Sequence, residues 1–148
     1  MTGRTRGTTA PAPGSSRTSA PAAYRVYHWA LGLFLLLGAV QIFLAGLGVF
    51  SSAGDPGFEP HRLNGFAMSG VALVVVVLAA VARAGPRHIA AAVVLLLLVG
   101  VMQSLLTAGG WENAWIGGLH ALDGLVILGV AGNLFGASAP GRGPDGGR

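Results

Sequence analysis

The chain has no cysteine and no lysine, and only 9% of its 148 residues are charged. The absence of cysteine rules out disulfides, thiolate metal sites and thiol catalysis together. No phosphate-binding loop, nucleophile triad or zinc-hydrolase motif occurs anywhere, so the residues point to no particular enzymatic reaction. What remains is 53% hydrophobic and collects into four apolar runs, at about 27–50, 63–83, 89–109 and 114–136. Each run is near the ~20 residues that a helix needs to cross a bilayer. The expected fold is all-α: a four-helix transmembrane bundle with the lipid bilayer as its solvent. The Ala-, Gly-, Val- and Arg-rich, lysine-free usage is the kind found in GC-rich bacterial genomes.

A net charge of +4 invites a nucleic-acid reading, but the placement of the arginines argues against it. Arg4, Arg6, Arg17, Arg25, Arg83, Arg87, Arg142 and Arg148 flank the ends that four passes bring to one side, and Arg62 alone falls on the other. That asymmetry predicts a multi-pass protein of the cell membrane with both termini cytoplasmic. The arginines are topology determinants and not a phosphate-binding patch, so nucleic acid is not an expected partner. Apolar helix faces are compatible with a homodimer or a larger membrane complex.

Residues 1–23, rich in Thr, Ser, Pro, Gly and Arg, are expected to be a disordered tail, and 137–148 another. Between them, 24–136 form the transmembrane domain. The first run could instead be read as a signal peptide cleaved near Ser51-Ser52-Ala53. It is too long for an h-region of ~7–15 residues, and it carries one copy of the repeat described next. Outward loops at about 51–60 and 110–114 are too short for a soluble domain, which confines function to the bundle or its outer mouth.

The polar residues inside the runs are few and patterned. Gly38-x-x-Gln41-x-x-Leu44-Ala45-x-x-Gly48 is matched without a gap by Gly100-x-x-Gln103-x-x-Leu106-Thr107-x-x-Gly110. Downstream, His61-x-x-Asn64-Gly65 is matched by His120-x-x-Asp123-Gly124. Polar groups in hydrocarbon are costly without partners, so their recurrence predicts two repeated helical hairpins sharing one site. An axis along the membrane normal would bring His61 and His120 toward each other, although His61 opens its helix and His120 lies one to two turns inside its own. Gln41 and Gln103 would each hydrogen-bond an imidazole and fix its tautomer.

Two neutral imidazoles without a carboxylate or thiolate set suit bis-histidine ligation of b-type haem, with His61 and His120 as the metal ligands. Zinc would want four ligands, and only Glu59 and Asp123 could join. The alternative is a cofactor-free structural or accessory membrane subunit. In it His61, Asn64, Gln41, Gln103 and Asp123 are interhelical hydrogen-bond glue worth ~0.6 kcal/mol each. A metal or proton path is a third reading.

Glu59-Pro60-His61-Arg62-Leu63-Asn64-Gly65 at the head of an apolar helix resembles the Glu/His-Arg segment that opens the second helix of a heme A synthase half. Gln103, Gly109-Gly110 and Gly117-Gly118-Leu119-His120 are similar to the rest of that half-unit, and the likeness spans about 38–130. It implies His61 and His120 as haem ligands for electron transfer or haem handling near the outer face, with Glu59 and Arg62 beside the haem or its propionates. The chain departs from that family in having one four-helix unit where the synthases have two. Its glutamate stands two residues before the histidine instead of three, and it lacks the loop cysteines of some members. Heme A synthesis itself is therefore not expected. The pattern is equally similar to short four-helix bacterial membrane proteins of unknown function.

His28 and His88, near the cytoplasmic ends, would permit a second haem. Tyr27, His28 and Trp29 read more simply as an interfacial belt, and His88 beside Arg87 as a solvated turn residue. Asp123 is the one carboxylate well inside a run, and His120, three residues earlier, is its expected partner. The arginine asymmetry gives the first test. A cysteine introduced at Ser52 should react with a membrane-impermeant thiol reagent on intact cells, and one at Ser138 should not. External labelling at Ser138 would overturn the topology.

Overall fold

The computed structural model describes residues 22–139, and within them all the regular structure is helical. Four helices are long and apolar enough to cross a membrane: α1 (Ala22–Val49), α2 (Glu59–Val81), α3 (Pro86–Gly110) and α4 (Ala114–Ala137). Their starts follow local chemistry. Pro60 and Pro86 lie in the first turns of α2 and α3, where a missing N–H costs nothing. Asn113 caps α4 by accepting a hydrogen bond from the Trp115 backbone N–H at 3.0 Å. Gly85, with φ of 93°, makes the tight turn that sets α3 antiparallel to α2.

Adjacent helices form a closed ring, α1 against α2, α2 against α3, α3 against α4 and α4 against α1, while the backbones of the diagonal pairs α1/α3 and α2/α4 stay apart. The packing is uneven along the bundle. Leu31 and Phe34 of α1, Val75 and Ala79 of α2, Ala92 and Leu95 of α3, and Ala131 and Leu134 of α4 are all buried. These lie in the half that carries the chain ends and the α2–α3 turn. Toward the other end the buried side chains thin out and the helices part around a cleft. Outward, Leu36, Phe43, Val77, Leu97 and Leu105 are exposed, as suits a lipid-facing surface.

Three expectations change here. Tyr27 and His28 are not an interfacial belt: they are 0% and 8% exposed, and only Trp29, at 72%, faces outward. His28 stacks on Phe135 with ring centroids 4.2 Å apart, and its Nδ1 lies 2.9 Å from the Ser138 hydroxyl. That contact explains the second change, because ordered structure runs through Ala137 and Ser138 instead of stopping before 137. At the other edge α1 already includes Ala22 and Ala23. The remainder of both expected tails, 1–21 and 140–148, lies outside the described residues. His88 is the third: it is half-buried, with Nδ1 3.4 Å from the Tyr27 hydroxyl, and so belongs to the packed end.

One departure from α-helix matters for the site. Leu98–Met102 of α3 form a π-helical turn. Such a turn carries an extra residue per repeat and changes the direction of every side chain that follows, here Gln103 and Thr107. The Ser69 hydroxyl of α2 lies 3.4 Å from the Val99 carbonyl inside it and 3.1 Å from its own Gly65 carbonyl.

The α3–α4 hairpin closes glycine to glycine. A Cβ on Gly110 would sit 3.0 Å from the Gly117 Cα, a backbone atom that cannot swing away. Gly110→Val should therefore separate the hairpin and lower thermal stability in detergent, by about 1–3 kcal/mol. Gly118→Val, at a position with open space around it, is the control and should leave stability unchanged.

Candidate functional site

The cleft has a volume of about 950 Å³ and is lined by residues of all four helices, with both candidate histidines in its wall. His61 comes from α2 and His120 from α4, a diagonal pair whose backbones stay apart. Their rings nevertheless face across the gap, with centroids 6.2 Å apart and planes inclined at 57°. The offset in helix position read from the sequence does not separate them. Phe58 stands edge-on to the His61 ring at 6.1 Å and closes one side of the cleft.

Each histidine is held from the other helix of its own hairpin, and the directions of those bonds fix its protonation. His61 Nδ1 lies 3.2 Å from the Gln41 backbone carbonyl, which can only accept, so Nδ1 carries the proton. Nε2 is then the acceptor, and the Gln41 side-chain amide donates to it at 3.1 Å. Asn64 orients that amide by donating to Gln41 Oε1 at 2.7 Å and to the Leu37 carbonyl at 3.0 Å. Gly65 leaves room for this arrangement, since a Cβ there would meet Gln41 Nε2 at 3.4 Å.

The second hairpin reaches the same tautomer by other means. The Thr107 hydroxyl donates to the Gln103 carbonyl at 2.8 Å and so has only lone pairs left for His120 Nδ1, 3.1 Å away. His120 is again protonated at Nδ1, and its Nε2 has no hydrogen-bond partner among the described residues. Gln103 does not touch the imidazole, contrary to the sequence expectation. Its amide donates to the His120 backbone carbonyl and to Asp123 Oδ2, both at 3.0 Å. Asp123 thus pairs with Gln103 and not with His120. A π-turn precedes Gln103 but not Gln41, and Asp123 accepts where Asn64 donates, so the matched glutamines aim differently.

Glu59 and Arg62 stand at the mouth of the cleft and engage each other. Arg62 donates from Nε and Nη2 to the two Glu59 carboxylate oxygens, each at 2.9 Å, in an exposed fork. Both membrane-side carboxylates that could have completed a zinc site are therefore committed to other partners. Among the described residues no three His, Asp or Glu side chains cluster as a metal cage.

Sequence reasoning gave Thr107 no role. The signal was present, since Thr107 stands where the first copy of the repeat has Ala45. The Asn64/Asp123 difference was a second signal, and its meaning lies in which way each neighbouring amide turns.

These features define a multi-pass integral membrane protein with a polar site at one end of its bundle. Residues 41–109 match the model of a family of unknown function (DUF6220), a stretch from Gln41 through α2 and most of α3 that includes His61, Asn64 and Thr107 but ends before His120. No curated protein and no solved structure matches the chain, so the likeness to heme A synthase rests on the short motifs alone.

The bonding pattern predicts the same tautomer, protonated at Nδ1, for both histidines. Side-chain 15N spectra of protein prepared without added cofactor, at alkaline pH, should show it. Thr107→Val should shift His120 toward the Nε2–H form and leave His61 as it was. A shift at His61 as well would contradict the separate support of the two rings.

Proposed function

We propose that this membrane protein binds b-type haem between His61 and His120 and serves electron transfer or haem handling. The observation that carries this reading is the pair of imidazoles, on diagonal helices whose backbones stay apart, each with Nδ1–H tied to an acceptor of its own hairpin. A metal-bound histidine ordinarily donates its other ring N–H in this way, which leaves Nε2 as the ligand atom. The 6.2 Å between ring centroids suits two imidazoles sharing one metal ion at bond lengths of about 2 Å. The walls suit a large apolar ring, for the cleft is mostly hydrophobic and Gly38, Gly65, Gly117 and Gly124 all border it. A bound haem would supply the reversible one-electron chemistry. The chain's part is to fix the two rings, keep the site dry and offer Arg62 to an acidic group at the mouth. The arginine asymmetry supports a mouth on the outer face of the cell membrane, and the matched hairpins are read as an internal repeat.

The cofactor-free reading draws on one observation, the near-complete mutual pairing of Gln41, Asn64, Gln103 and Asp123. It leaves the cleft and the free Nε2 of His120 without a role.

Protein purified after expression with ample haem should show a Soret band and sharp reduced α and β bands. His61→Ala and His120→Ala should each abolish or shift them. Replacing both histidines with Gln keeps hydrogen bonding but should eliminate the bands, because an amide is a poor iron ligand. A colourless wild-type protein would sink the haem reading. Full function in the double Gln variant would favour the cofactor-free one.

A further inference from the structure

We propose that the two histidines are unequal ligands: His120 is the fixed one, and His61 is exchangeable, held back by Gln41, so that the cleft can open one iron position to a small neutral gas molecule. The proposal rests on the haem reading and adds to it a division of labour between the hairpins. It starts from one atom of difference between matched residues. Asn64 and Asp123 occupy the same place in the two copies, but Asn64 offers an N–H where Asp123 offers only oxygen.

The consequence follows through the glutamines. Asn64 donates to Gln41 Oε1, so the Gln41 amide nitrogen must point the other way, onto His61 Nε2 at 3.1 Å. Asp123 can only accept, so it draws the Gln103 amide nitrogen to itself at 3.0 Å, away from the His120 ring. The ligand atom of His61 is therefore occupied by a donor of its own hairpin, while that of His120 is open. Any bond from His61 to a metal must compete with the Gln41 amide, and a bond from His120 competes with nothing.

Were His61 to return to Gln41, the position it leaves would open onto a cleft lined mostly by apolar side chains, Phe58, Leu106 and Leu128 among them. Arg62 at the mouth is taken by Glu59 or, on the haem reading, by an acidic group of the haem, so it is not free to hold an anionic guest. A small uncharged molecule fits that environment.

Carbon monoxide is the probe. Dithionite-reduced, haem-loaded protein in detergent is titrated with CO, and the Soret shift is followed. Wild-type protein should bind CO. Gln41→Leu, which frees His61 Nε2 to hold the iron, should weaken CO binding by ~10-fold or more. Asn64→Asp, which removes the donor that turns the amide, should act in the same direction. Gln103→Leu, whose amide bonds the His120 carbonyl and Asp123 but not a ring nitrogen, should change CO affinity less than Gln41→Leu does. A haem-bearing wild-type protein inert to CO overturns this inference while leaving the haem reading in place. So does equal CO affinity in wild type and Gln41→Leu, or a Gln103→Leu effect as large as that of Gln41→Leu. A protein without haem removes the underlying reading, which the absorbance spectrum before CO addition reveals separately.

Discussion

Every polar side chain within the spans has to find its partner inside the protein, because hydrocarbon offers none. That constraint organises the whole structure. The four helices need no polar contacts to form, since their backbones satisfy themselves. Gln41, His61 and Asn64, by contrast, are affordable only as a set, and so are Gln103, Thr107, His120 and Asp123. Each set is closed within one hairpin. The hairpins then meet through apolar packing at one end, and at the other the two imidazoles confront each other across the cleft without a bond between them.

Two matched sequences do not produce two matched sites. The π-turn at Leu98–Met102 redirects Gln103, and Asp123 reverses the polarity that Asn64 imposes in the first hairpin. The tautomer of both histidines survives these changes because different acceptors, a backbone carbonyl and a threonine hydroxyl, perform the same task. Equal protonation combined with unequal occupation of Nε2 gives the site its direction.

Much of this was legible in the residues. Run lengths gave the four spans to within a few positions, because bilayer thickness leaves little freedom. His61 and His120 were brought into one site by the matched spacing, and the structure faces them. The misread positions share a cause. Tyr27 and His28 have the composition of an interfacial belt, and only tertiary packing against Phe135 and Ser138 buries them. The uneven closure of the bundle left no trace in hydropathy, since lipid-facing and core-facing side chains are equally apolar in a membrane protein. The π-turn was equally silent, its residues Leu98-Val99-Gly100-Val101-Met102 being ordinary helix formers apart from one glycine.

Cohesion is concentrated at one end of this molecule and the polar cleft lies toward the other. Leu31, Phe34, Val75 and Leu95 stand outside the cleft's lining, while Met68, Val99 and Ile127 are both buried and part of its wall. Exposed lining residues such as Phe66 can therefore change without touching that shared core. Such a division gives the protein latitude to change. The exposed part of the pocket wall can be reshaped residue by residue on a base that tolerates the trial.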